Sequence, residues 1–293
     1  MSEGNFVWSL ERQAIFMRCP RAYYYLRFQA QQDDTTRQLS CLQKLEEWAD
    51  NVIRRTLEQA LLATGEKPLS KEAIRELAIG IMRKTWLEYL NGDWKKDPEN
   101  ATNIFQLYYG GDDFGTSRRL PQEMTDNAKQ RILEVVETFA ASRFYQEICG
   151  TDRASWLFPG RKATFRLGDI SVQEAPDFIY KDKDGEYCSL FWTIGNEYRP
   201  FLRTRQVCSM LYAMEKLNVS AREISVCTVF LNDGGRSRSF MVTDANLNTA
   251  RQQMQKGAEA MLAREKAFGE KEDFQMQPGE FCQDCNFRRL CLS

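Results

Sequence analysis

Residues 172–194 read V-Q-E-A-P-D-F-I-Y-K-D-K-D-G-E-Y-C-S-L-F-W-T-I, and this stretch decides the fold. Two runs rich in aromatic and aliphatic residues, Val172 to Tyr180 and Tyr187 to Ile194, flank the polar run 181–185. Asp184-Gly185 supplies the dipeptide that tolerates positive φ, so the spacing predicts a β-hairpin. Before it, Lys162 to Leu167 reads as another strand. After it, Gln206 to Leu217 reads as a short helix. Glu223 to Leu231 and Ser237 to Val242 are two more strands, joined by Asn232-Asp233-Gly234-Gly235. The expected order is three strands, a helix and two strands.

The chain upstream carries a helical period. Residues 39–62 set Leu39, Leu42, Leu45, Ala49, Val52 and Ile53 at steps of three and four, continued by Leu57 and Leu61, as one apolar stripe. Residues 70–90 repeat the pattern, with Ser70 as cap and Gly92 just past the end. Residues 123–147 do so again, through Ile132, Val135, Val136, Phe139 and Phe144. The polar, Gly-rich stretch from Gly92 to Pro121 predicts an irregular insertion. Downstream, Asp244 can cap a helix over roughly 247–268. The expected organisation is a helical region over 1–160, a β-rich core over 161–245, and a C-terminal helix and cysteine cluster over 246–293 packing back on the N-terminus.

Among the 293 residues, 40 Lys and Arg balance 41 Asp and Glu, so a nucleic-acid surface must be a local patch. No apolar run reaches the roughly 20 residues that cross a bilayer. The opening MSEGNF carries an acid and lacks the basic-then-apolar pattern of a secretory signal, which predicts a cytoplasmic protein without a membrane segment. The chain has no histidine. This excludes His-based acid–base chemistry, His metal ligands and Ser-His or Cys-His nucleophile pairs.

The nine cysteines are unevenly placed. Cys282, Cys285 and Cys291 form C-x2-C-x5-C at the C-terminus, and Cys19 lies in Arg18-Cys19-Pro20-Arg21 near the other end. Four thiolates suit a [4Fe–4S] cluster or tetrahedral zinc, and spacing alone does not choose between them. Cys41, Cys149, Cys188, Cys208 and Cys227 stand singly within apolar segments and read as core.

The run Cys-Pro-Arg-Ala-Tyr-Tyr-Tyr at 19–25, together with Phe281-Cys282-x2-Cys285-x5-Cys291, resembles the cluster-bearing RecB-like and AddB-like members of the PD-(D/E)XK nuclease superfamily. The resemblance implies an α/β fold: a PD-(D/E)XK nuclease-like core, with a mixed central sheet flanked by helices, and a large N-terminal helical region. It also implies that Cys19, Cys282, Cys285 and Cys291 hold a [4Fe–4S] cluster, with zinc as the alternative. Catalysis in that family needs a carboxylate on one strand and an acid-x-Lys on the next, to hold Mg²⁺ or Mn²⁺ and position water.

Pro176-Asp177 matches the first acid. The next strand, Leu190-Phe191-Trp192-Thr193-Ile194-Gly195, aligns with the family's Asp-Trp-Lys-Thr-Gly ending. Phe191 then stands at the acid position and Thr193 at the lysine position. Trp48 to Arg54 resembles the stretch that carries a family histidine, which puts Arg54 at that place. The catalytic set is therefore lost, with Asp177 as a relic. Among the lysines only Asp93-Trp94-Lys95 has an acid two positions earlier, and it reads as a solvated turn.

Arg18, Arg21, Arg288 and Arg289 near the cysteines, and Arg203 and Arg205 beyond the lost motif, form a candidate nucleic-acid surface. Tyr23, Tyr24 and Tyr25 either stack on unpaired bases or pack around the cysteine site. The expected function is a non-catalytic DNA-binding or scaffolding subunit of a DNA-processing, repair or defence complex, beside a partner with helicase or nuclease activity. The alternatives are a divergent nuclease using Asp177, Glu174 and Glu186, and a module that binds only protein.

Overall fold

The computed structural model describes residues 6–64, 67–113, 120–160, 162–194, 199–267 and 274–292. The architecture is mixed α/β. The chain divides into two units, each built from separate stretches: Met1–Met17 with Ser142–Gly269, and Arg18–Ala141 with Glu270–Ser293. These divisions do not coincide with the changes of periodicity at 161 and 246. Packing decides them. Helix α8 (Arg143–Cys149) continues the helical pattern of the segment before it, yet its Phe144 meets Trp192 edge-on, with ring centroids 6.5 Å apart, in the sheet unit.

The sheet unit holds two mixed sheets. In the smaller, β1 (Val7–Trp8) runs parallel to β3 (Ile170–Val172), which pairs antiparallel with β2 (Phe165–Leu167). The larger has the order β4-β5-β6-β7. Here β4 (Phe178–Lys181) and β5 (Tyr187–Thr193) form the hairpin. Strand β6 (Ile224–Phe230) is parallel to β5, and β7 (Arg236–Phe240) is antiparallel to β6. A parallel neighbour requires a crossover, and helix α9 (Arg199–Leu217) provides it. Ser189 Oγ lies 2.7 Å from Ser209 Oγ of α9, and Gln206 Nε2 of α9 donates to Thr228 Oγ1 at 3.1 Å. Alternation therefore places Ser189, Phe191 and Thr193 on the face that α9 covers.

The expected strand from 172 to 180 is two strands in different sheets. Between them Gln173 N–H donates to Trp8 O at 2.8 Å. Glu174 Oε1 accepts from Leu10 N–H at 2.9 Å, at the start of α1 (Leu10–Arg18). A part-buried helix N–H thus takes its partner from 164 residues away. The hairpin turn itself follows expectation. Gly185 has φ +83°, and Asp182 Oδ1 accepts from the N–H groups of Asp184 and Glu186.

The other unit is helical in its described residues, apart from short bridges and turns. Its longest members are α4 (Leu45–Ala63), α5 (Lys71–Asn91) and α7 (Gln122–Ala141), which pack against one another. Ser70 Oγ accepts from Ala73 N–H at 3.2 Å and starts α5, and Gly92 at φ +72° ends it, as its freedom to adopt positive φ allows. The stripe expected over 39–62 is interrupted. Leu39 belongs to α3 (Asp34–Ser40), and Gln43 makes a parallel bridge to Ile104 before α4 begins. The stretch from Gly92 to Pro121 is also more regular than expected. It contains a 3₁₀ turn over Asp93–Lys95 and helix α6 (Phe105–Asp113). Among the described residues no helix is long and apolar enough to cross a membrane.

Candidate functional site

The four cysteines from the two ends of the chain line one cavity of about 160 Å³ in the helical unit. Cys19 is the residue before α2 (Pro20–Arg27); Pro20 starts that helix with its φ already set and no N–H to satisfy. Cys282 closes a 3₁₀ turn whose Gly279 N–H points at its Sγ at 3.4 Å. Cys285 follows by a turn, its N–H donating to Cys282 O at 3.3 Å. Cys291 lies on α11 (Arg288–Leu292), with Sγ 3.2 Å from Met276 Sδ. Burial pushes the Cys285 thiol up, and the neighbouring Cys19 and Cys291 add to this. Removing the protons from such clustered thiols needs a positive partner at their centre.

Besides the cysteines, the cavity wall includes the rings of Tyr25, Phe281 and Phe287. Tyr25 OH donates to Leu290 O at 2.8 Å, and its ring lies 5.3 Å from that of Phe287. Tyr24 packs on Phe274, and Tyr23 is buried. Of the two readings of Tyr23, Tyr24 and Tyr25, packing describes what they do. The arginines are also engaged. Arg21 Nε donates to Phe274 O at 2.7 Å, and Arg18 lies over the Phe281 ring. Arg288 and Arg289 sit over the Tyr109 ring of α6, at 4.2 and 5.0 Å from its centroid. Tyr109 OH in turn donates to Asn286 O at 2.6 Å. Burial holds this phenol at a pKa of about 12. These residues lock α6 to the cysteine hairpin, a role that sequence reading missed because α6 itself was unexpected.

In the sheet unit, the residues at the expected nuclease positions make a packed structure. Asp177 N–H donates to Leu190 O at 2.9 Å, and its Oδ2 accepts from Trp192 N–H at 2.8 Å. Phe191 is 4% exposed and Thr193 1%, both on the face under α9. Thr193 Oγ1 is buried with no hydrogen-bond partner among the described residues. Gly195, the expected end of the motif, lies outside them. Glu174 is held by Leu10 N–H and lies 3.8 Å from Arg205 Nε. Glu186 is exposed in the hairpin turn, at the opposite end of the strands from Asp177.

Arg203 is exposed on α9. Arg54 belongs to the helical unit, half-buried on α4 beside Asp50. Asp93-Trp94-Lys95 is an exposed 3₁₀ turn in which Lys95 lies over the Trp94 ring.

Among the described residues no three Cys, Asp or Glu side chains are drawn together as ligands of a single metal ion. The cysteines instead surround a space.

No protein-family model matches the chain. Nor does any curated protein match it. The reading of this site therefore rests on its residues. None of the nine cysteines is in a disulfide among the described residues. Of the five expected as core, Cys188, Cys208 and Cys227 are buried, and Cys41 and Cys149 are partly so. The donor set at the cavity is all sulfur. With apolar walls and a backbone N–H directed at one sulfur, its chemistry suits a thiolate-bound metal group.

Proposed function

We propose that the protein is a non-catalytic iron–sulfur relative of the PD-(D/E)XK nucleases, a scaffolding or DNA-binding subunit of a cytoplasmic DNA-processing or defence complex whose partner supplies helicase or nuclease activity. The observation that carries this reading is the filling of the catalytic positions. A buried ring and a buried hydroxyl without a hydrogen-bond partner among the described residues stand at Phe191 and Thr193, where chemistry needs an acid and a lysine. The one matching acid, Asp177, is tied to backbone. Glu174 and Glu186, which could have rebuilt a metal site, are turned to a helix start and to a hairpin tip.

Cys19, Cys282, Cys285 and Cys291 would hold a [4Fe–4S] cluster. Tetrahedral zinc at about 2.3 Å from each sulfur would draw the four within about 3.8 Å of one another, whereas a polynuclear cluster takes its thiolates at its periphery. The all-sulfur donor set around one cavity suits such a cluster, and the resemblance at 19–25 and 281–291 favours it over zinc. When bound, the cluster would supply a cross-link between chain ends. The engagement of Arg18, Arg21, Arg288 and Arg289 with rings and carbonyls supports scaffolding ahead of DNA contact.

The test is direct. Anaerobically purified full-length protein is titrated with single-stranded, double-stranded and forked DNA over a salt series, incubated with Mg²⁺ and Mn²⁺, and examined for co-purifying nucleic-acid enzymes. The expected result is a stable partner or salt-dependent DNA binding, without cleavage. Neither partner nor binding, or cleavage that Asp177→Ala abolishes, would overturn the reading.

A further inference from the structure

A second cavity of the helical unit lies away from the cysteines. It has a volume of about 780 Å³ and is walled by α5 and α7. From α5 come Ile79, Met82, Trp86 and Leu90, at steps of three and four. From α7 come Thr125, Lys129 and Leu133, on one stripe of that helix. Trp48 and Leu107, both nearly fully buried, form its base. That base is fixed: Trp48 Nε1 donates to Thr85 Oγ1 at 3.0 Å, and its ring stands edge-on to Trp86 at 5.5 Å.

We propose that this groove seats an amphipathic α-helix of a partner protein, apolar on one side and flanked by acidic residues. Three features select this occupant. The rim leucines Leu87 and Leu90 are 55% and 64% exposed, so the groove is open along its side; a small-molecule site would enclose most of its ligand. From Ile79 to Leu90 the wall is about 16 Å long at 1.5 Å per residue, room for about three helical turns with anchors at i, i+3 or i+4, and i+7.

The third feature is charge. The described lining residues include two cations, Arg83 and Lys129, and no acid. Arg83 is exposed and has neither ion pair nor hydrogen bond among the described residues. Lys129 has only Asp126 of its own helix, at 3.4 Å. Acidic flanks on the incoming helix complete both. The inference goes beyond the proposed function and does not depend on what the cysteine cavity holds.

The experiment presents full-length protein as bait to a displayed library of helix-forming peptides of about 16 residues. Enriched peptides are then measured by fluorescence anisotropy. The expected outcome is enrichment of apolar anchors at helical spacing with Asp or Glu on the flanks. Leu90→Glu and Arg83→Glu should each weaken binding by about tenfold. Arg83→Glu should regain affinity for a peptide whose acids are changed to lysine. Both positions are exposed, and circular dichroism of the variants checks that the helices persist. No enrichment, enrichment of basic peptides, or binding indifferent to both substitutions would overturn the proposal. So would self-association in sedimentation velocity that Leu90→Glu abolishes, which would give the groove to a second copy of the chain.

Discussion

Asp177 Oδ2 accepts a hydrogen bond from the backbone N–H of Trp192 across the β4–β5 hairpin, at 2.8 Å. The carboxylate thus bonds the strand that carries Phe191 and Thr193. Asp177→Ala should cost about 1–3 kcal/mol by leaving a part-buried N–H without its acceptor, read by urea denaturation. Asp177→Asn, whose side-chain oxygen can still accept, should recover part of that loss. An Asp177→Ala variant as stable as the parent would remove the structural role.

Placing an acid and a lysine on this face by Phe191→Asp with Thr193→Lys should not create a nuclease. Both side chains lie under α9 with almost no solvent access. The pair of substitutions deletes a packed ring and buries two charges, at a cost of about 4 kcal/mol or more. The expected outcome is low soluble yield and a lost cooperative melt. A stable double variant with Mg²⁺-dependent cleavage would show the face to be open.

Anaerobically purified protein should be brown and carry iron, and Cys282→Ser should bleach it and lower its melting temperature. Iron analysis and visible absorption check the first part, and calorimetry the second. Colourless protein with one zinc would exchange the metal while leaving the cavity as the site.

Asp50 gives a pH signature. Burial outweighs the attraction of Arg131, at 2.6 Å, and of Arg54, and the adjacent Glu47 and Glu46 act in the same direction as burial. Its folded pKa rises to about 6, against about 3.9 in an unfolded chain. Folding therefore favours the protonated form. Stability from this group is fully present below about pH 4 and falls as pH rises to about 6, by roughly 1–2 kcal/mol after allowance for partial exposure. Asp50→Asn should flatten that window in denaturation series between pH 4 and 7. An unchanged slope would refute the assignment.

Tyr109→Phe should cost about 1 kcal/mol through the lost bond to Asn286, and Arg288→Ala about 0.5–2 kcal/mol through the lost ring contact. Thermal melts of the two variants test this. If Arg288→Ala instead left stability intact and weakened DNA binding, the arginine would belong to a nucleic-acid surface.

The parts of this structure legible in the sequence are those set by local rules. Helix α5 was marked at both ends by Ser70 and Gly92, and the hairpin by Asp184-Gly185. The uneven cysteine spacing located the cavity. What escaped was decided at a distance. At the break, Glu174 bonds Leu10 N–H, a partner 164 residues away that no local pattern shows. Helix α6 looked irregular because its support comes from Gln43, whose O accepts Phe105 N–H, and from the Tyr109–Asn286 bond. The ring contacts of Arg18, Arg288 and Arg289 join residues far apart in the chain and cannot be seen from composition.

The cysteine cavity draws one wall from residue 19 and the others from residues 282–291, with the sheet unit's main stretch lying between them in sequence. During synthesis, which proceeds from the N-terminus, Cys19 is made long before Cys282, Cys285 and Cys291. The cavity therefore closes late: a chain stopped short of Cys291 lacks one of its four sulfurs.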